Sequence, residues 1–196
     1  FNNNEIPIEL NKISSLRIPD GIGIVWAINK IFGIKTPRIT GVDLFIDFLD
    51  LANRLNKKIF IYAGKDHILL NAIEIIKSKY KNINITGYEN GYINDKESEN
   101  LILKINDLKP DFLFLGLGSP KQENWVYKNL DTLNVKIIQT IGGALDTVVN
   151  PSMRAPLLFQ KYGLEWLYRL IKQPYRVKRQ ITLVSFFLNT IFYKKK

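Results

Sequence analysis

Two apolar runs constrain the fold of this chain more than anything else in it. Ile59-Phe60-Ile61-Tyr62-Ala63-Gly64 and Asp111-Phe112-Leu113-Phe114-Leu115-Gly116 each end in glycine, and an amphipathic segment follows each. A strand apolar on both sides has to be covered on both sides, which is the signature of a parallel sheet between helices. The intervening segments fit. Asp66 to Tyr80 carries Leu69, Leu70, Ile73 and Ile76 at helical spacing, and Lys96 to Leu108 carries Leu101, Ile102 and Ile105. Asn84 to Tyr88 and Val135 to Thr140 read as further strands, and a helix begins near Pro120. Strand–helix alternation at this interval predicts βαβ units and the α/β class. Ligands of such sheets sit beyond the carboxyl ends of the strands, where the Gly-rich turns at 116–118 and 142–143 fall.

The first 58 residues are patterned less clearly. Ile22 to Phe32 and Val42 to Leu55 read as helices around a loop with Thr36, Pro37, Arg38 and Gly41. The chain opens on Phe1, which leads us to expect a missing N-terminal piece. The only boundary signal lies near Pro151, where the charge balance changes. It predicts an α/β core over 1–150 and a helical basic appendage over 151–196. From Arg154 to Lys196 there are ten Lys and Arg against one acid, Glu165, so this segment carries +9 of the formal +10. A nearly neutral body with a basic, aromatic tail is suited to an anionic partner.

Composition removes several chemistries. There is no cysteine, so disulfides, thiolate metal sites and cysteine nucleophiles are excluded. The single histidine, His67, rules out a multi-histidine metal site. No run of about 18 apolar residues exists to span a bilayer as a helix. The tail segment Ile181 to Tyr193 is apolar and flanked by Lys178, Arg179 and Lys194 to Lys196. It is too short to cross a membrane but suits an in-plane anchor, with Phe186, Phe187, Ile191 and Phe192 at the interface. A helix packed on the protein body is an equally good reading of the same residues.

Three constellations could carry chemistry. Pro19-Asp20-Gly21-Ile22-Gly23 precedes an apolar helix; Asp20 reads first as a turn residue capping that helix, and second as a general base facing a cleft. Gly116-Leu117-Gly118-Ser119-Pro120-Lys121-Gln122 follows a buried strand. Ser119 suits an N-cap, Pro120 the first helical position, and Gln122 a capping box. The glycines suit close approach of a phosphate to a helix N-terminus. No D-x-D triplet is present, so a carboxylate-bridged metal on a sugar nucleotide is not expected. Arg169, Arg176 and Arg179 are spaced to neutralise a diphosphate from one side of a helix, although Pro174 interrupts it. A solvated basic face is the plain alternative.

Read in order, PDGIGIVWA at 19–27, PRITGVDLF at 37–45, LGLGSPKQENW at 115–125, IGGALD at 141–146, RAP at 154–156 and GLEWLYRLIKQPYRVKR at 163–179 resemble the WecG/TagA/CpsF family of bacterial glycosyltransferases. The resemblance runs from about Pro19 to Arg179. It implies a Rossmann-like core plus a C-terminal appendage that reaches the membrane and completes the active site. It also implies an inverting, metal-independent transfer, without a cofactor, of an N-acetylmannosamine-type sugar. The donor would be a UDP-sugar and the acceptor an undecaprenyl-diphosphate-linked N-acetylglucosamine. The enzyme would sit on the cytoplasmic face of the membrane and serve teichoic acid or other surface-polysaccharide synthesis. Carried over by motif, Asp20 would be the base and Arg38 would lie near substrate. Gly116, Gly118, Ser119 and Gln122 would bind the nucleotide sugar, and Arg169, Arg176 and Arg179 would hold the diphosphate. The chain departs from the family at Leu145, where many relatives have phenylalanine, and at Asn150, where a glycine is usual. Two other classes compete: a basic-tailed nucleic-acid-binding module, and a non-catalytic relative acting in assembly. The apolar run among the bases favours lipid over nucleic acid, and a homo-oligomer is compatible with the sequence.

Overall fold

The computed structural model describes residues 16–172, 174 and 185–193, apart from the side chains of Asp95 and Arg169. The chain divides into two compact units. One comprises Gly41–Pro151; the other joins Ile18–Thr40 to the described residues after Pro151. The boundary near Pro151 therefore separates the C-terminal segment from the sheet, but it does not bound a continuous 1–150 core. Residues 18–40 go with the tail because their side chains pack there, as described below.

The first unit carries α2 (Gly41–Arg54), numbered after α1 (Ile22–Phe32) of the second unit. It continues as β1 (Lys58–Ala63), α3 (Asp66–Lys79), β2 (Asn84–Glu89), α4 (Asp95–Leu108), β3 (Phe112–Gly116), α5 (Lys121–Asn129), β4 (Ile137–Thr140) and α6 (Ala144–Val149). The four strands are all parallel, in the order β2-β1-β3-β4. The period-2 alternation of β1 and β3 splits the core cleanly. Ile59, Ile61, Phe112 and Phe114 face α2, α3 and α6, whereas Phe60, Tyr62, Leu113 and Leu115 face α4 and α5. On the first face Phe45 packs edge-on to Phe114, ring centroids 4.9 Å apart. On the second, Tyr62 meets Trp125 at 5.3 Å. Both faces of the sheet are thus closed by helices, the Rossmann-like arrangement the apolar runs demand.

A capping box of the expected kind exists, but on α4. The Asn94 side chain accepts from Glu97 N–H at 2.9 Å, and the Glu97 carboxylate accepts from Asn94 N–H at 2.8 Å. At α5 the sequence reading is corrected. The helix starts at Lys121 with Pro120 as its N-cap residue, and no side chain caps it. Ser119 lies outside the helix, and the Gln122 side chain is used elsewhere.

At the amino ends of the strands, Asp111 ties three of them together. Its Oδ2 accepts from Lys58 N–H at 2.9 Å and its Oδ1 from Lys136 Nζ at 2.6 Å. Those bonds, led by the one from Lys136, hold the Asp111 carboxyl below the usual carboxylate range against a smaller opposing effect of burial. A depressed carboxylate pKa stabilises the fold above the unfolded value, near 3.9, and the gain is lost as pH falls through the folded value. Asp111→Asn should therefore lower the urea midpoint at pH 7, and the difference from the wild type should shrink steadily below about pH 4. A difference that is the same at pH 3 and pH 7 would contradict this account.

In the second unit, α1 (Ile22–Phe32) starts after Pro19-Asp20-Gly21 and ends at Gly33. Helices α7 (Leu157–Lys161) and α8 (Glu165–Lys172) follow, and residues 185–191 are helical. Trp26 of α1 packs on Phe187 with centroids 5.3 Å apart. A Cβ at Gly23 would lie 3.5 Å from the rings of both Phe186 and Phe187, and one at Gly163 would strike Ile22 at 2.7 Å. Of the four residues expected at a membrane interface, Phe186 and Phe187 thus contact α1, while Phe187 is also exposed in part and Ile191 and Phe192 are exposed. No helix among the described residues is long and apolar enough to cross a membrane.

Candidate active site

The sheet reverses its direction of winding between β1 and β3, and the loops beyond these two strands lie at its switch point. Backbone bonds knit those loops together. Gly64 N–H donates to Gly116 O at 3.2 Å, Gly91 N–H to Gly64 O at 2.8 Å, and Ile141 N–H to Leu115 O at 2.6 Å. Gly116 is needed here for packing. A Cβ would sit 2.7 Å from Ala63 Cβ and from Gly142 O. Gly118 is needed for its backbone, with φ +78°, and an added Cβ would meet nothing within 4 Å.

Gln122 is buried, and both ends of its amide are engaged. Its Oε1 accepts from Gly142 N–H at 3.2 Å, and its Nε2 donates to Glu123 Oε1 at 2.8 Å. It therefore fastens the turn after β4 to the start of α5. Glu123, in the first turn of α5, also places a carboxylate where the helix dipole favours negative charge. Its Oε2 and the Oδ1 of Asn124 are buried without a hydrogen-bond partner. Lys121 donates to Gly91 O at 2.9 Å and lies over the Tyr92 ring at 5.8 Å. A groove of about 510 Å³ opens beside β2 and α4, lined by Glu89, Asn90, Tyr92, Glu97 and Lys104 among others. Its Glu89–Lys104 pair spans 3.5 Å. Nearby, the buried Tyr62 hydroxyl is pushed up to about 12, mainly by burial and then by the charge of Glu89, so it stays neutral at physiological pH. No sequence motif marks this groove, because its lining comes from β2 and two helices separated along the chain.

In the second unit, Asp20 stands at the start of α1 with its side chain 57% exposed. It does not serve as the N-cap; that position is Gly21, and no side chain caps the helix. Arg38 reaches back to it. Arg38 Nε donates to Asp20 O at 2.6 Å, and the guanidinium Nη2 lies 3.9 Å from Asp20 Oδ1. The same Nη2 donates to Glu165 Oε2 at 2.5 Å, with the Arg38 and Glu165 side chains only 18% and 10% exposed. Ile39 N–H donates to Pro19 O at 3.3 Å, which pins the two loops a second time. Sequence reasoning placed Asp20 and Arg38 but missed Glu165, which it counted only as the lone acid of a basic tail. Nothing in the sequence pattern pairs Glu165 with an arginine 127 residues away.

The structure thus brings Asp20 and Arg38 together in one unit and Gly116, Gly118, Ser119 and Gln122 together in the other. Arg169 lies on α8 with its side chain outside the described atoms; Arg176 and Arg179 lie outside the described residues. Among the described residues no group of three or more His, Asp or Glu side chains could hold a metal ion.

Comparison with known proteins agrees with these motifs. Residues 8–196 match the family model of the glycosyl transferase WecG/TagA/CpsF family. The chain belongs to the WecG/TagA/CpsF family. Among its relatives, the N-acetylglucosaminyldiphosphoundecaprenol N-acetyl-beta-D-mannosaminyltransferase of Bacillus spizizenii is 34% identical over 86% of this chain and 65% of its own length. The proteins of the same name from Bacillus subtilis strain 168 and Staphylococcus aureus strain MW2 are 34% and 29% identical. They cover 91% and 96% of this chain and 69% and 74% of their own lengths. The chain therefore spans about two thirds to three quarters of the length of these relatives, and less than two thirds of the first.

Proposed function

We propose that this WecG/TagA/CpsF member transfers N-acetylmannosamine, or a closely related hexosamine, from a UDP-sugar to N-acetylglucosaminyl-diphosphoundecaprenol in bacterial cell-surface polymer synthesis. The acceptor and the transferred sugar are those in the names of its relatives. The observation that carries the chemistry is the start of α1, where an exposed carboxylate is held on a backbone that a partly buried arginine braces from behind. Such a group can take a proton from an attacking hydroxyl without leaving its place.

The proposed step is a single displacement. An acceptor hydroxyl oxygen attacks the anomeric carbon as its proton passes to Asp20. The bond from that carbon to the diphosphate oxygen breaks, and its electron pair leaves with UDP. The relatives' names specify a β-linked product, which an α-linked sugar nucleotide gives by inversion with one base. The loops around Gly116, Gly118, Ser119 and Gln122 take the nucleotide sugar at the switch point of the sheet. Arg169, Arg176 and Arg179 compensate the charge developing on the leaving diphosphate, in the role a metal ion fills in other transferases. UDP release from UDP-N-acetylmannosamine with the lipid-linked acceptor, in the presence of EDTA, tests all of this. Acceptor-dependent release that survives EDTA supports the reading; release that EDTA abolishes removes its metal-independent form, and no release with any UDP-sugar removes the donor assignment.

The acceptor is a membrane lipid, so peripheral association with the cytoplasmic face through the basic C-terminal segment belongs to the same proposal. Deleting Gln180–Lys196 is expected to lower binding to anionic liposomes by roughly tenfold or more while leaving UDP binding within about twofold. Unchanged liposome sedimentation would sink the anchor.

A further inference from the structure

The groove beside β2 and α4 has the size and the lining of a ligand site. Its volume of about 510 Å³ falls within the roughly 300–1,000 Å³ of small-molecule sites. Three carboxylates, those of Asp66, Glu89 and Glu97, line it against one ammonium, that of Lys104. Such a wall repels a diphosphate but suits a neutral group rich in hydroxyls, because carboxylates accept from O–H. Tyr92, also in the lining, is 70% exposed, which leaves much of its ring open for a flat ligand to stack on. We propose that this groove takes the nucleoside half of the sugar nucleotide, with the base on the Tyr92 ring and the ribose hydroxyls donating to the Glu89 carboxylate. The inference deepens the proposed function and rests on the donor being a UDP-sugar.

Both contact residues are held in place. Tyr92 N–H donates to Asn90 Oδ1 at 2.9 Å, and Lys121 Nζ lies 5.8 Å from the ring centroid. Glu89 Oε1 accepts from Asn90 N–H at 3.2 Å and from Asn90 Nδ2 at 3.4 Å, and its Oε2 lies 3.5 Å from Lys104 Nζ. A carboxylate offers about four lone-pair sites, more than these contacts use. Glu89 is the last residue of β2, which pairs in parallel with β1. An acid at that point of a βαβ unit is within reach of a ribose. The loop after β2 is also fastened to the donor loops. Gly91 N–H donates to Gly64 O at 2.8 Å, and Lys121, the first residue of α5, donates to Gly91 O at 2.9 Å. A Cβ at Gly91 would lie 2.9 Å from Leu117 Cδ2, so the two loops meet closely. A nucleoside on Tyr92 and Glu89 therefore leaves its phosphates beside the start of α5, where a helix N-terminus receives anions.

Calorimetric titration of the full chain with UDP tests this, with thermal melts to show that each variant is folded. Tyr92→Ala is expected to weaken UDP binding by about tenfold, the usual worth of one stacked base, and Tyr92→Phe should lose less because it keeps the ring. Glu89→Gln should weaken UDP binding by about tenfold, because a charge-assisted bond to the ribose is lost. The same variant should lose less than about twofold against 2′,3′-dideoxy-UDP, which has no ribose hydroxyl to donate; a merely structural role for Glu89 would cost both ligands equally. UDP affinities of Tyr92→Ala and Glu89→Gln equal to that of the wild type would overturn the inference and leave the donor assignment standing. Unchanged UDP binding with a raised KM for the lipid-linked acceptor would give the groove to the acceptor sugar instead. A wild-type chain that binds no UDP would remove the donor assignment, and the nucleoside site with it.

Discussion

Asp20→Asn is expected to lower the turnover of acceptor-dependent UDP release by about 10²–10⁴-fold, the usual contribution of a positioned general base. That corresponds to about 3–5 kcal/mol of transition-state stabilisation. Asparagine keeps the shape of the side chain and, more importantly, the backbone carbonyl that receives Arg38 Nε at 2.6 Å. The brace therefore persists, and Arg38 retains Glu165 as its ionic partner. The substitution removes one partner of the exposed 3.9 Å ion pair with Arg38, so the folding stability should fall by no more than about 1 kcal/mol. Binding of the UDP-sugar, followed by calorimetry, should stay within about twofold, because the loss falls on kcat and not on ground-state binding. Turnover within a few-fold of the wild type would remove Asp20 as the base and return it to an ordinary turn residue.

Gly116→Ala should destabilise the first unit by about 1–3 kcal/mol or more. The added methyl would stand 2.7 Å from two atoms that cannot give way. Ala63 Cβ belongs to β1, paired in register with Gly116 itself, and Gly142 O belongs to the turn that Gln122 holds. Relief would require β1, β3 and the 141–143 turn to separate, at the point where their backbones are bonded to one another. At this chain length each kcal/mol lowers the melting temperature by about 2–4 °C. Gly118→Ala is the internal control. It meets no atom and bears only the left-handed backbone, at a cost of about 1–2 kcal/mol. Thermal melts of the two variants separate steric from conformational need, and a Gly116→Ala melt no lower than that of Gly118→Ala would refute the packing account.

The readability of the chain differed from element to element. The strands at 59–63 and 112–116 were plain because a run apolar at both periods has only one home, a sheet covered on both faces. Helix α5 starts where the sequence places it, near Pro120, but without the cap that the local signature of Ser119, Pro120 and Gln122 suggests. The start of α5 is set instead by the turn after β4, which takes the Gln122 carbonyl. The equivalent signature at Asn94 and Glu97, not singled out in the sequence, is the one that forms, each side chain accepting from the other residue's N–H.

Asp20 and Arg38 were legible as motif residues, but their relation was not. Local pattern carries no information about a contact between residues 18 apart in a loop, and still less about one 127 apart. From the sequence, then, come the α/β class, the order of its strands and helices, the absence of cysteine chemistry and the motifs that mark the family. The first three follow from periodicity and composition, which act over a few residues at a time, and the motifs from their resemblance to the family. The tertiary structure alone decided that residues 18–40 fold with the C-terminal segment and not with the sheet. It alone decided that Gly116 is a packing glycine, and that the lone acid of the basic tail holds the arginine behind Asp20. Each of these depends on side chains brought together from distant parts of the chain, where burial and charge, not spacing, select the partner.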